Sequence, residues 1–187
     1  MNKIDLGQTF EERQVGIRGN IQKIGIPLRD LNKKELEEEI KKFLKRKQCL
    51  SLATVSPDGV PRISLLDYQS DGLDIIMASE GGEKFRNLHY SRKVAISIGF
   101  SDGTAPSEYG LTVQGEAEIF KAPDPRYLQC MMKMKPFLEE WAKAVTKISI
   151  DQAIKRAFTV RAIKVSPLKM TYMNIPDGVP LLSWERD

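Results

Sequence analysis

Histidine is nearly absent from this 187-residue chain, His89 being the only one. A site that needs two imidazoles is therefore excluded, and any Ser–His or Cys–His nucleophilic pair would have to use that single ring. Cysteine is almost as scarce. Cys49 and Cys130 stand far apart with no CxxC partner, so zinc or iron–sulfur ligation is not expected and no metal site is assigned. Both thiols are read as reduced and mostly buried. No apolar run approaches the roughly 20 residues needed to cross a bilayer. The opening MNKIDLGQTFEERQ lacks the apolar core of a secretory signal. A cytoplasmic protein with no membrane partner is expected. Also missing are GxGxxG after a strand, the phosphate-loop pattern ending in GKS or GKT, HExxH and GxSxG. Hard chemistry would then fall to a bound cofactor, and no catalytic side chain is assigned.

What is present suits a soluble globular domain: 41% apolar and 29% charged residues, in a chain long enough to bury a core without disulfides. The net charge of +4 is unevenly spread. Residues 33–47 hold seven Lys or Arg against four Glu, mostly on one helix face. A nucleic-acid binder would show a broad basic surface interleaved with aromatics, so no nucleic-acid partner is expected.

Residues 1–31, with Gly16, Gly19, Gly25 and Pro27, read as an irregular N-terminal arm, and 32–187 as the main domain. Asn32 with Glu35 makes a capping-box start, followed by an apolar stripe of Leu36, Ile40, Phe43 and Leu44. Leu50 to Val55 is a strand, Ser56-Pro57-Asp58-Gly59 a tight turn, and Val60 to Tyr68 the returning strand. Ser70-Asp71-Gly72 turns the chain into a third strand, Leu73 to Ala78. Two turn-linked hairpins point to an antiparallel meander. Ser79 to Ser91 has helical character. Lys93 to Phe100 and Tyr109 to Phe120 alternate as half-buried strands on either side of a polar loop. Two short helices are expected around Pro136, spanning Tyr127 to Met134 and Phe137 to Val145. In them Met131, Met132 and Met134 fill gaps, and Phe137, Trp141 and Val145 share a face. Ala157 to Val165 returns to alternation, Ser166-Pro167 breaks it, and Lys169 to Asn174 makes a last strand. The expected fold is mainly β with α: a six-stranded antiparallel split β-barrel with peripheral helices.

The segments LATVSPDGVPRISLL, DGLDIIMASEGGEKFRNLHYSRKVAISI, LTVQGEAEIF and FTVRAIKVSPLKMTYMN, in that order across residues 36–174, resemble the FMN-binding split barrel family. That family is also called pyridoxamine 5′-phosphate oxidase-like. The resemblance implies a homodimer with FMN in a cleft between subunits. It implies that the strand carrying Arg62, Ile63, Ser64 and Leu65 lines the ring and ribityl chain. Ala78 and Ser79 would approach the flavin edge or the phosphate, Lys84 would hold the phosphate, and Asn87 would stand beside it. Arg86 lies further around the helix and would act only by shielding.

Elementary chemistry agrees at one point. A helix start with uncapped N–H groups, a Gly81-Gly82 pair and an adjacent Lys is suited to an anion. The sequence departs from the true oxidase in three places. Glu83 stands where an Arg would pair with the Lys, Gly110 replaces a flavin-contacting Gln, and the C-terminal Arg- and His-containing substrate motif is missing. Pyridoxamine phosphate oxidation is therefore not expected. The expectation is an FMN-dependent oxidoreductase acting with a small-molecule substrate or electron donor. The alternatives are a flavin storage or sensing module, or a barrel that takes a deazaflavin or haem. For haem, His89 is the only possible imidazole ligand, and its place favours a packing or surface role. Trp184 is left open, as cover for a cleft or for a partner.

Overall fold

In this computed structural model, residues 7–46, 49–100, 109–144 and 159–187 are described. Seven strands form one antiparallel sheet in the order β3-β2-β1-β4-β5-β6-β7, and β3 also pairs with β6. The strands are β1 (Cys49–Val55), β2 (Pro61–Asp71), β3 (Asp74–Ser79), β4 (Lys93–Phe100), β5 (Tyr109–Phe120), β6 (Arg161–Asn174) and β7 (Val179–Glu185). The β3–β6 pairing closes six strands into a barrel and leaves β7 outside. One edge of β6 is shared: Arg161 to Val165 pair with β3, and Lys169 to Asn174 with β7.

Alternation decides what fills the barrel. Leu50 and Leu52 of β1, Val94, Ile96 and Ile98 of β4, and Leu111, Val113 and Ala117 of β5 point inward and are buried. Helix α2 (Lys33–Leu44) begins at the expected capping box, with Asn32 and Glu35 bonded reciprocally. Its stripe of Leu36, Ile40, Phe43 and Leu44 joins the same core, where Phe43 meets Tyr109 and Tyr172 edge-on at 5.8 and 5.5 Å. Helix α3 (Glu83–Tyr90) adds Phe85 and Leu88. Helix α4 (Pro125–Ala144) lies on the outside, burying Cys130 and Met134 against Ile76, Phe120 and Ala162.

Five local expectations are corrected. The N-terminal arm is not irregular: α1 (Phe10–Lys23) is a helix with Gly16 and Gly19 inside it, started by a capping box of Thr9 and Glu12. It is held to β7 by the Gln14 side-chain amide, which donates to the Leu181 carbonyl at 2.7 Å. The two short helices are one, because Pro136 sits inside α4 without ending it. The last two strands are also one. Pro167 falls opposite Gly115 at a register shift, a bulge where a missing N–H breaks no ladder. There a Cβ on Gly115 would lie 2.6 Å from the Ser166 carbonyl oxygen, so only glycine fits. Cys49 is exposed, whereas Cys130 is buried, and burial pushes its thiol pKa up. Met132 is exposed to solvent instead of filling a gap.

Strand β7 adds an element beyond the last expected strand. It carries Trp184, whose indole N–H donates to Glu37 of α2 at 2.8 Å, so this ring covers α2. The polar loop after Phe100, the expected packing of Phe137, Trp141 and Val145, and the strand start at Ala157 and Phe158 lie outside the described residues and side chains. Among the described residues, no helix is long and apolar enough to cross a membrane.

Candidate functional site

The outer end of the β1–β2 hairpin and the first turn of α3 meet at one place. Register puts Thr54 of β1 opposite Arg62 of β2. Thr54 has inward parity, following Leu50 and Leu52, and is 4% exposed. A buried hydroxyl needs a partner, and the Asn87 side-chain amide donates to it at 3.0 Å. That bond pins α3 to β1. Three residues before Asn87, on the same flank of the helix, Lys84 is drawn in to 9% exposure.

The Lys84 ammonium donates to the Gly81 carbonyl. Its pKa lies below the usual lysine value, first because burial penalises the charge and second because the Arg62 guanidinium is nearby. Two cations are thus held close together, one of them largely out of water. Arg62 itself is exposed and donates from Nη1 to Glu83 Oε2. That carboxylate belongs to the first residue of α3, in line with the charge preference of a helix start.

The start of α3 differs from those of α1 and α2, which are closed by complete capping boxes. Gly82 occupies its N-cap, with no side-chain hydrogen bond. Its φ of 102° suits glycine, and a Cβ there would sit 3.4 Å from Lys84 Nζ. The backbone is therefore open to an approaching anion beside a buried lysine.

The other candidate residues fall around this point. Ile63 and Leu65 lie on the outward face of β2, 68% and 72% exposed, opposite Ala53 and Ser51 of β1. Ser64 is half-buried on the inner side. Ala78 and Ser79 end β3, half-buried opposite Ala162 and Arg161 of β6. From Ser79 the chain runs through Glu80, Gly81 and Gly82 into α3. Arg62, Lys84 and Asn87 are thus brought to one place, although one amide hydrogen of Asn87 is taken by Thr54. His89 and Arg86 lie on a different flank of α3, in a separate cleft.

Thr54 was not singled out from sequence, and neither was the partner that Glu83 takes. Thr54 carried a signal, a polar residue at an inward position of an alternating strand. The direct pairing of Glu83 with Arg62 carried none, since 21 residues separate them.

A closed six-stranded antiparallel barrel, with a seventh strand outside and an open helix start beside its second strand, defines a protein of the split β-barrel class. Residues 36–174 match the family model described as pyridoxamine 5′-phosphate oxidase, and the chain belongs to that family. No curated protein matches the sequence. Among solved structures, a haem-binding protein from Mycobacterium smegmatis is similar at TM-score 0.60 and 16% identity, over 85% of this chain and 60% of that one. A FAD-binding protein from Mesorhizobium loti is similar at TM-score 0.55 and 16% identity, over 71% and 90%. The haem storage protein HutZ from Vibrio cholerae is similar at TM-score 0.54 and 20% identity, over 71% and 90%. At these identities the likeness is one of fold.

Proposed function

We propose that this chain binds FMN at the junction of β2 and α3, as a homodimer with the cofactor at the subunit interface, and works as a flavin-dependent oxidoreductase on a small molecule. The observation that carries this reading is Lys84: a lysine drawn out of water, beside Arg62, at an uncapped helix start. Family membership supports it, and so does the presence of a FAD-binding protein among the structural neighbours. The residues fit the phosphate end of the cofactor. Lys84 and Arg62 would supply charge, the backbone from Gly82 onward N–H donors, and Ser79 a hydroxyl. The strand from Arg62 to Leu65 would lie along the ring and ribityl chain.

Ile63 and Leu65 support the dimer. Two large apolar side chains this exposed, beside Ala53 and Ser51 on an uncharged stretch of barrel wall, are suited to burial against a second copy. Cover over this strand would also exclude water from the ring. Bound FMN would supply hydride or single-electron transfer, leaving the protein to bind, orient and shield. No side chain of this site is asked to act as acid or base.

Haem is less favoured. His89, the sole imidazole, opens onto a cleft walled mainly by cations, which offers no apolar slot for a porphyrin. A storage or sensing role shares the same site and differs only in turnover. The absorption spectrum of the purified protein, before and after added FMN, tests binding. Oxidation of NADH or NADPH by the flavin-loaded protein then separates an enzyme from a store. A colourless protein that takes up no added FMN would contradict the proposal.

A further inference from the structure

A second basic site lies on the other flank of α3. Each helical residue turns the chain by about 100°, so Phe85, Arg86 and His89 share a flank distinct from that of Lys84 and Asn87. They face a cleft of about 420 Å³ that is completed by Arg92 just beyond the helix, Lys121 after β5 and Arg161 at the start of β6. Among the described residues, its lining holds four cationic side chains and no carboxylate.

Among the described residues, many basic side chains meet a carboxylate. Arg18 pairs with Asp30, Lys133 with Asp71, Lys164 with Asp74 and Lys169 with Glu185. Among the described residues, Arg86, Arg92, Lys121 and Arg161 form no ion pair with a carboxylate. Two acids near the cleft are engaged elsewhere. Asp58, which feels Arg86, accepts from Ser56, and Asp124, three residues beyond Lys121, is held by Arg126. The Arg161 guanidinium lies 4.9 Å from the centre of the buried Phe85 ring, which fixes it at the cleft without neutralising it.

Four like charges converging from α3, β4's entry, β5's exit and β6 repel one another. The repulsion is relieved by a ligand bearing more than one negative charge. We propose that this cleft binds a small polyanion, with two or more phosphate or carboxylate groups spread across Arg86, Arg92, Lys121 and Arg161 and the His89 imidazole as a further donor. The open shape and the scarcity of apolar wall, Phe85 and Ile119 among the described residues, suit a compact hydrophilic ion over a large aromatic ligand. The site uses neither Arg62 nor Lys84, although Lys84 Nζ and the Arg161 guanidinium lie over the same Phe85 ring, 5.3 and 4.9 Å from its centre.

The test is calorimetric titration of the full chain at fixed ionic strength with inorganic pyrophosphate and, separately, with citrate. Whichever anion binds more tightly identifies phosphate or carboxylate as the recognised group. Arg92→Gln and Lys121→Gln, both at exposed positions, are each expected to weaken that binding about tenfold. Lys34→Gln on the solvated face of α2 should leave it unchanged. Lys84→Ala should also leave it unchanged, whereas it should weaken FMN binding. If neither anion binds, the proposal is overturned. If Lys84→Ala abolishes binding while Arg92→Gln and Lys121→Gln do not, the anion occupies the first site and the proposal is again overturned. Tight binding of a single-stranded oligonucleotide with a steep salt dependence, and none of either small ion, would replace the small polyanion with a nucleic acid.

Discussion

Arg62 at the start of β2 and Glu83 at the start of α3 are joined by an ion pair directly beside the buried Lys84. The pair brings a carboxylate to the place where a phosphate would be held. On the proposed reading, Glu83 would compete with the flavin phosphate for Lys84 and Arg62. Replacing it should loosen nothing essential, because both partners are more than half exposed.

Glu83→Gln is accordingly expected to tighten FMN binding by about two- to fivefold, the range of an exposed ion pair, with a change in stability below about 1 kcal/mol. Flavin fluorescence titration and thermal denaturation measure the two quantities. Weaker binding in this variant would assign Glu83 a supporting role instead of a competing one.

Binding should also depend on alkaline pH. Lys84 has a pKa below its unfolded value, so its charge costs stability when pH lies below the folded value. That cost disappears as pH rises from the depressed value toward the ordinary lysine range, where the unfolded chain binds the extra proton. A bound phosphate favours the charged form and moves the pKa back up. FMN affinity is therefore expected to fall as pH rises through the depressed Lys84 value, while the stability of the ligand-free protein gains from this group over the same interval. Titrations at stepped pH check the sign, and Lys84→Met should flatten the dependence.

Gly82→Ala tests the backbone. At φ 102° a side chain is strained, and its Cβ would stand 3.4 Å from Lys84 Nζ. A loss of about 1 kcal/mol is expected in chemical denaturation, together with weaker FMN binding as the strained backbone shifts at the start of α3.

Asn87→Ala removes the amide that satisfies the buried Thr54 hydroxyl. Leaving that group unpaired should cost about 1–3 kcal/mol in denaturation experiments. The double change with Thr54→Val should recover part of the loss, since both polar groups are then gone. Failure to recover would show that the bond does not join α3 to β1 in the way described.

The outward face of β2 is the proposed dimer surface. Leu65→Lys, at a position 72% exposed, should leave the folded monomer intact and shift a dimer toward monomer in sedimentation analysis. An unchanged dimer would move the interface to another face.

The barrel was legible in the sequence because its signals are local. Turn residues at Ser56 to Gly59 and the period of two in Lys93–Phe100 and Tyr109–Phe120 each specify their own element. The Asn32–Glu35 capping box was equally readable, yet the identical device at Thr9 and Glu12 was masked by the glycines of α1, which suggested an irregular arm. Prolines misled in the other direction. Pro136 and Pro167 read as breaks, but tertiary context absorbs both, the second through a bulge opposite Gly115. For the candidate site, Lys84 and the glycine pair were visible as a chemical pattern. The Arg62–Glu83 pair and the cluster of Arg92, Lys121 and Arg161 were not, since each depends on long-range register that no local motif reports.

The most direct test of the central claim is an equilibrium FMN titration of the wild-type chain and Lys84→Ala, followed by flavin fluorescence, with circular dichroism confirming that both are folded. Saturable binding by the wild type, weakened about 10- to 100-fold by Lys84→Ala, is the predicted result, as expected for loss of a charge-assisted bond to phosphate. Equal FMN affinity in the two proteins, or no binding by the wild type, would contradict the assignment of Lys84 and Arg62 as a flavin phosphate site.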